Sequence, residues 1–320
     1  MKLSKLDKAS VIAIHDCMGA QQGESILIIA DEQKKKIGYN LYQNALRLGY
    51  ESLYVEMKSR EMHGTEPPKQ VAELMKMFDV VLCPTAKSLT HTNARREASA
   101  LGARIATFPG ITEEIMIRGL NADYNKIAAI TNRLTQILNE VNSVRVITPI
   151  GTDITMDITG RKAISSNGLF HKKSESGNLP TGESYIAPIE GKSNGVFCVD
   201  GSMAGIGVIK GKPIRIEVKN GIAVNISGGA QAKKLNSIID KYGEPGRNIA
   251  EFGIGTNNKV KLSGLLLEDE KVMGTIHIAL GDNKSMGGNV CVPIHLDGVV
   301  KKPSVYFDGK MIMKNGKLLI

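Results

Sequence analysis

The hydrophobic rhythm of the chain changes once, near residue 145. Up to about residue 142, short continuous apolar runs alternate with stretches of helical spacing. Residues 25–30 (SILIIA) form the kind of run that a strand buried on both faces needs, and residues 33–48 then carry apolar side chains at three- and four-residue intervals until Gly49 ends the pattern. Residues 52–55, 80–83 and 104–108 repeat the strand signal. Residues 67–78 and 89–101 read as helices, the second with Ser88 or Thr90 placed to cap it, and residues 123–141 make a longer closing helix. Strands alternating with helices predict a parallel sheet covered by helices, an α/β three-layer domain over residues 1–144.

Beyond residue 144 the rhythm becomes period two, broken by turn residues. Residues 145–158, 196–199, 205–209, 214–218 and 222–226 are strand candidates, and residues 231–242 form one helix. Asn220-Gly221, Asp308-Gly309 and Asn315-Gly316 predict hairpins, because both residues of such pairs tolerate the positive φ of a tight β-turn. The expectation is a mostly antiparallel β (α+β) domain over residues 145–320.

Length and composition agree with two soluble globular domains: 320 residues, 42% hydrophobic and 23% charged. The longest apolar runs fall far short of the ~20 residues of a membrane span. Lys2, Lys5 and Lys8 are followed by His15 and Asp16 rather than by an apolar core, so no secretory signal is read. Cys17, Cys83, Cys198 and Cys291 lack CxxC spacing, which disfavours a disulfide framework or a zinc knuckle. A cytoplasmic protein without a membrane partner is expected. The net charge of +9 is spread out, with Lys34, Lys35 and Lys36 the longest basic run and only 4% aromatics, so no nucleic-acid partner is expected. Asp31, Glu32 and Gln33 stand after the first strand where a glycine-rich phosphate loop would have to be, so no nucleotide cofactor is expected there.

Chemistry concentrates in four segments of the second half: N-L-P-T-G-E (178–183), A-E-F-G-I-G-T-N (250–257), G-T-I-H-I-A-L-G (274–281) and P-I-H-L-D-G (293–298). In a strand His295 and Asp297 point to one face, and His277 shares its face with Thr275 and Ala279. Glu183 and Glu251 add carboxylates in contexts where burial is expensive unless they are paired or metal-bound. A hydrogen-bonded His–Asp pair in a β core remains the alternative. Three acids total −3, which two divalent ions and a bridging hydroxide would neutralise, and this favours a dinuclear centre. Around them, residues 251–300 hold six acids and four bases, the reverse of the chain as a whole.

These four segments, together with S-L-T-H-T-N-A-R-R-E-A (88–98), resemble the M29 family of metal-dependent aminopeptidases, the aminopeptidase T and aminopeptidase S group. The resemblance implies metal ligation by Glu183, Glu251, His277, His295 and Asp297, with Zn, Co, Mn or Mg as the metal, a homodimer, and release of N-terminal residues from a peptide substrate by two-metal hydrolysis. Glu183 or Glu251 would shuttle the proton to the leaving amine. His91 and Arg95, in the first domain, and Asp282 and Lys284, after His277, are candidate substrate contacts. The resemblance breaks at one place. The family pattern has a tyrosine seven residues after the histidine of G-T-x-H, and here that position is Lys284, with no tyrosine between His277 and His295. The alternative is an oxygenase: His277, His295 and Asp297 would form a two-His-one-carboxylate Fe(II) site, and the same superfamily includes proteins resembling 2,5-dihydroxypyridine dioxygenase, which cleave an aromatic ring with one iron.

Overall fold

A computed structural model describes residues 2–320. The chain separates into two compact units, the first running to Ala128 and taking in Gly168–Thr181, the second comprising Ala129–Asn167 and Gly182–Ile320.

The first unit is built on a parallel sheet in the order Glu51–Met57, Ser25–Asp31, Val80–Cys83, Arg104–Thr107 and Ser176–Asn178. Ile26 to Ala30 and Val80 to Cys83 are fully buried, as parallel strands covered on both faces require. One side of that core gathers Leu27, Ile29, Val81, Cys83 and Ile105 against Val71, Met75, Leu89, Ala94 and Ala98. Beyond the first strand the Asp31 carboxylate accepts hydrogen bonds from the backbone N–H groups of Gln33 (3.2 Å), Lys34 (3.2 Å) and Ala86 (2.6 Å). A side-chain carboxylate thus takes the donors that open the helix Lys35–Arg47.

Two details of this unit differ from the sequence expectation. The helix expected over residues 89–101 spans Asn93–Ala100, because Thr92 is the residue that caps it, accepting from Arg95 N. The sheet also gains Ser176–Asn178, a segment beyond the division expected near residue 145, which pairs with Arg104–Thr107 without an apolar run of its own.

The second unit contains two antiparallel sheets, one of eight strands and one of seven. The strand expected over residues 145–158 is a hairpin instead. Ser143–Ile147 and Asp153–Asp157 pair with each other, and Thr148 and Thr152 close the turn through backbone and hydroxyl bonds. Asn220, Asp308 and Asn315 all take positive φ (49°, 46° and 47°), each followed by a positive-φ glycine, as the expected tight turns demand.

The seven-stranded sheet includes, as neighbours, His295–Lys301, Thr275–Gly281, Ile249–Gly255 and Glu183–Ile186. Its two faces separate by period two. Phe252, Ile254, Ile276, Ile278, Leu280, Leu296 and Val300 join the core that also holds Val144, Ile154, Phe197 and Phe307, with Phe252 and Phe307 meeting edge to face at 6.4 Å. The alternate residues, among them Glu251, Gly253, His277 and Asp297, occupy the other face. No helix among the described residues is long and apolar enough to cross a membrane.

Candidate metal centre

Strand register brings the polar residues of that face into rows across the sheet. Asp297 pairs with Ala279 and Ala279 with Glu251, so the two acids flank an alanine. His295 pairs with Gly281, one step further along the same face. His277 pairs with Gly253, and Gly253 with Tyr185. Glu183 pairs with Gly255.

Small residues between the functional ones keep the face open. A Cβ at position 253 would lie 2.0 Å from His277 Nε2, so the imidazole lies in the space that the glycine leaves over its own backbone.

The side chains converge accordingly. His295 Nε2 is 3.2 Å from Glu251 Oε2 and 3.4 Å from Asp297 Oδ1, and one ligand atom from each of the three residues lies within 4.8 Å of the others. Ligand atoms ~2.1 Å from a shared ion and at right angles to each other stand ~3 Å apart, so these separations suit one first-row metal ion. His295 Nδ1 lies 2.7 Å from the carbonyl oxygen of Asp282, an arrangement that keeps a ring proton on Nδ1 and turns Nε2 towards the acids, where loss of its own proton would free a lone pair for a metal. The residues therefore fit a metal.

His277 is placed differently. Its Nε2 lies 2.9 Å from Glu251 Oε1 and 3.6 Å from Glu183 Oε2, while its Nδ1 is buried without a hydrogen-bond partner. The trio that converges is Glu251, His295 and Asp297, and the expected grouping of His277 with His295 and Asp297 is replaced by one in which His277 backs Glu251.

Electrostatics bind the cluster together. Burial would raise Glu251, but hydrogen bonds from His277 and His295 outweigh it and hold the carboxyl at about 2. Burial pulls His295 down, and Asp297 and Glu251 overcome it to hold the imidazole well above its ordinary value; His277 is raised in the same way, chiefly by Glu251. Glu183 moves the other way. Burial raises it although Lys271 opposes, and its Oε2 has no hydrogen-bond partner.

Lys271 escapes notice in the sequence, where it reads as part of a charged run, E-D-E-K. Its side chain is 1% exposed, with Nζ 3.1 Å from Glu183 Oε1 and in close contact with Glu270. Tyr185 escapes notice too, although it follows Glu183 by two and so shares its face.

The candidate substrate contacts are divided between the two units. Asp282 contributes its carbonyl to His295, and its carboxylate accepts from Val292 N at 3.2 Å. Lys284 is exposed on a short turn. His91 and Arg95 belong to the first unit. His91 is exposed, and Arg95 donates to Thr90 O (2.8 Å) and Ser176 Oγ (3.2 Å) within that unit.

The fold and the site define a protein with a parallel α/β unit and an antiparallel β unit whose sheet face gathers acids and histidines for a metal. Residues 6–320 match the family model of NicX, 2,5-dihydroxypyridine 5,6-dioxygenase, and the chain belongs to that family. A curated relative is the 2,5-dihydroxypyridine 5,6-dioxygenase of Pseudomonas putida, 21% identical over 248 residues that span 72% of this chain and 69% of that protein. Among solved structures, 2,5-dihydroxypyridine dioxygenase from Pseudomonas putida KT2440 has the same fold, with a TM-score of 0.84 at 17% identity over 99% of this chain and 98% of that one. Wild-type AmpT from Thermus thermophilus is more distant in shape, with a TM-score of 0.70 at 16% identity over 99% of each chain.

The family match overturns the aminopeptidase expectation. Membership of the M29 family, a hydrolase or metalloprotease activity, proteolysis and a peptide substrate all fall with it, since the model that covers almost the whole chain is the dioxygenase's. The shared motifs lie on the sheet and its turns, which both folds possess. They report architecture, and the resemblance breaks at Lys284, where its pattern has a tyrosine. A metal cofactor is implied by the family and matched by the converging trio.

Proposed function

We propose that this protein is a mononuclear Fe(II)-dependent ring-cleaving dioxygenase acting on a dihydroxylated pyridine of the 2,5-dihydroxypyridine type. The observation that carries the reading is the convergence of Glu251, His295 and Asp297 on a single ion-sized space, in a chain whose family is that of the dioxygenase. Iron supplies, when bound, the redox chemistry through which O2 enters the substrate, together with positions open to it.

The chain's own residues do the rest. Asp297 and Glu251 bring the negative charge that a divalent cation needs, and the Asp282 carbonyl fixes the His295 ring so that Nε2 is available as a ligand. His277 holds a proton at Glu251 Oε1 and keeps that carboxylate aimed at the centre. Glu183, raised by burial although Lys271 opposes, stands 3.6 Å from His277 Nε2, where it is placed to exchange a proton with the imidazole. A dioxygenase reaction places both atoms of O2 in the product and calls for no external reductant.

The test is anaerobic loading of the protein with Fe(II), followed by addition of 2,5-dihydroxypyridine and air. One O2 consumed per ring, with loss of the aromatic absorption band, is the expected result. Absence of O2 uptake by protein carrying one Fe(II) per chain would sink the proposal.

A further inference from the structure

The sheet face that carries the acids holds one more side chain, to which metal binding gives no task. Tyr185 stands across Gly253 from His277, so tyrosine, glycine and histidine form one row. Tyr185 follows Glu183 by two on one strand and pairs with Gly253, two residues from Glu251 on the next, so its side chain belongs to the sheet face that carries these acids.

Two observations say that this phenol faces an incoming molecule. The first is exposure. Glu183, Glu251, His277 and Asp297 are buried, whereas Tyr185 and His295 are half-buried, so within this unit the accessible edge of the site is bounded by the phenol and the ligating imidazole. The second is a free donor: the Tyr185 hydroxyl, at this half-buried edge, forms no hydrogen bond with the described residues and so has its donor available to a ligand.

The chemistry fixes the direction of the missing bond. A phenol carries its proton at neutral pH, so towards a ligand oxygen it donates. Its natural partner is an oxygen acceptor carrying negative charge, which a hydroxylated heteroaromatic ring provides once it binds through its oxygens. A donor bonded to a ring oxygen also fixes the ring's rotation about its point of attachment.

Resting on the ring-cleavage reading, we propose that Tyr185 is a catalytic residue whose hydroxyl donates a hydrogen bond to one oxygen of the dihydroxylated ring and sets its orientation at the metal.

The experiment compares wild type with Tyr185→Phe, both loaded with one divalent ion per chain. Binding of 2,5-dihydroxypyridine, 2-hydroxypyridine and 3-hydroxypyridine to the Zn(II) form is read by ultraviolet difference spectra, and O2 uptake is read on the Fe(II) form. The variant is expected to keep metal stoichiometry and melting temperature, to bind the dihydroxylated ring about 10- to 100-fold more weakly, as loss of a hydrogen bond to a charged acceptor predicts, and to turn it over more slowly. It should bind one of the two monohydroxylated rings, the one lacking the contacted oxygen, as well as wild type does. An unchanged Kd for the dihydroxylated ring, or the same loss for all three rings, would overturn the proposal. If wild type binds no ring and consumes no O2, the ring-cleavage reading fails and this inference with it; if wild type is active and the variant equals it, only the role of Tyr185 fails.

Discussion

His295 and Asp282 are joined through a bond of 2.7 Å between the imidazole Nδ1 and a backbone carbonyl oxygen. Because the acceptor belongs to the main chain, the orientation of the ligating ring depends on the turn after the strand Thr275–Gly281 and not on the Asp282 side chain. His295→Ala is expected to weaken Zn(II) or Co(II) binding more than 100-fold, beyond the roughly 10- to 100-fold that follows loss of a supporting partner. Asp282→Ala should leave metal affinity little changed. Chelator competition on the two variants checks the pair, and equal losses would show that the Asp282 carboxylate matters to the metal.

Gly253 supplies the floor on which His277 lies. A methyl group there would meet the imidazole at 2.0 Å from Nε2, so Gly253→Ala must push His277 off Glu251. Overpacking of this kind costs about 1–3 kcal/mol, and urea denaturation should show it as a lowered midpoint with an unchanged slope. Weaker metal binding should accompany it, since Glu251 loses its hydrogen-bond partner. Wild-type stability and metal affinity in this variant would mean that the imidazole has somewhere else to go.

Lys271 is an ammonium enclosed by protein and held between Glu183 and Glu270. Removing one member of such a group leaves the others buried and uncompensated, at about 3–5 kcal/mol. Lys271→Met is expected to destabilise by that amount, and Glu183→Gln in the same chain to restore part of it, because one of the two stranded carboxylates is then gone. A double-mutant cycle measures the coupling. Additive effects would show that Lys271 answers to Glu270 alone.

Much of the site is legible in the sequence, and for a definite reason. Period-two spacing makes His295 and Asp297 neighbours on one face whatever the rest of the fold does. The Gly-rich contexts of Glu251 and His277 likewise announce places where side chains need room. What the sequence hides is everything that depends on register between strands. That His277 lies over Gly253, that Tyr185 stands on the far side of it, and that Glu251 rather than His277 completes the trio all follow from pairings between segments far apart in the chain. Lys271 is hidden because a lysine among three acids reads as solvated surface until burial is known. Ser176–Asn178 is hidden because these three small residues join the parallel sheet by backbone pairing and by side-chain bonds to Arg95, Thr90 and Thr107, with no apolar run to announce a strand. The reaction is hidden for another reason. The motifs that suggest a peptidase accompany a fold that AmpT shares at a TM-score of 0.70, so they do not separate one reaction from another.

Asp7 gives the first unit a pH dependence separate from the metal centre. Its carboxylate accepts from Ser4 N (2.9 Å), Asn40 Nδ2 (2.8 Å) and Asn44 Nδ2 (3.1 Å), tying the start of the helix Lys5–Val11 to the helix Lys35–Arg47. The Asn44 bond, then those from Ser4 and Asn40, hold this carboxyl well below the ordinary aspartate value. A folded-state value lower than the unfolded one, about 3.9, means stability that is fully present above about pH 4 and is lost as pH falls towards the folded value. Asp7→Asn removes the charge at every pH. The variant should therefore be less stable than wild type at pH 7, and the gap in urea midpoint should narrow steadily below about pH 4. Because the acids of the metal centre titrate equally in both proteins, they cancel in the difference, and a gap that stays constant down to about pH 3 would show that Asp7 acts by shape alone.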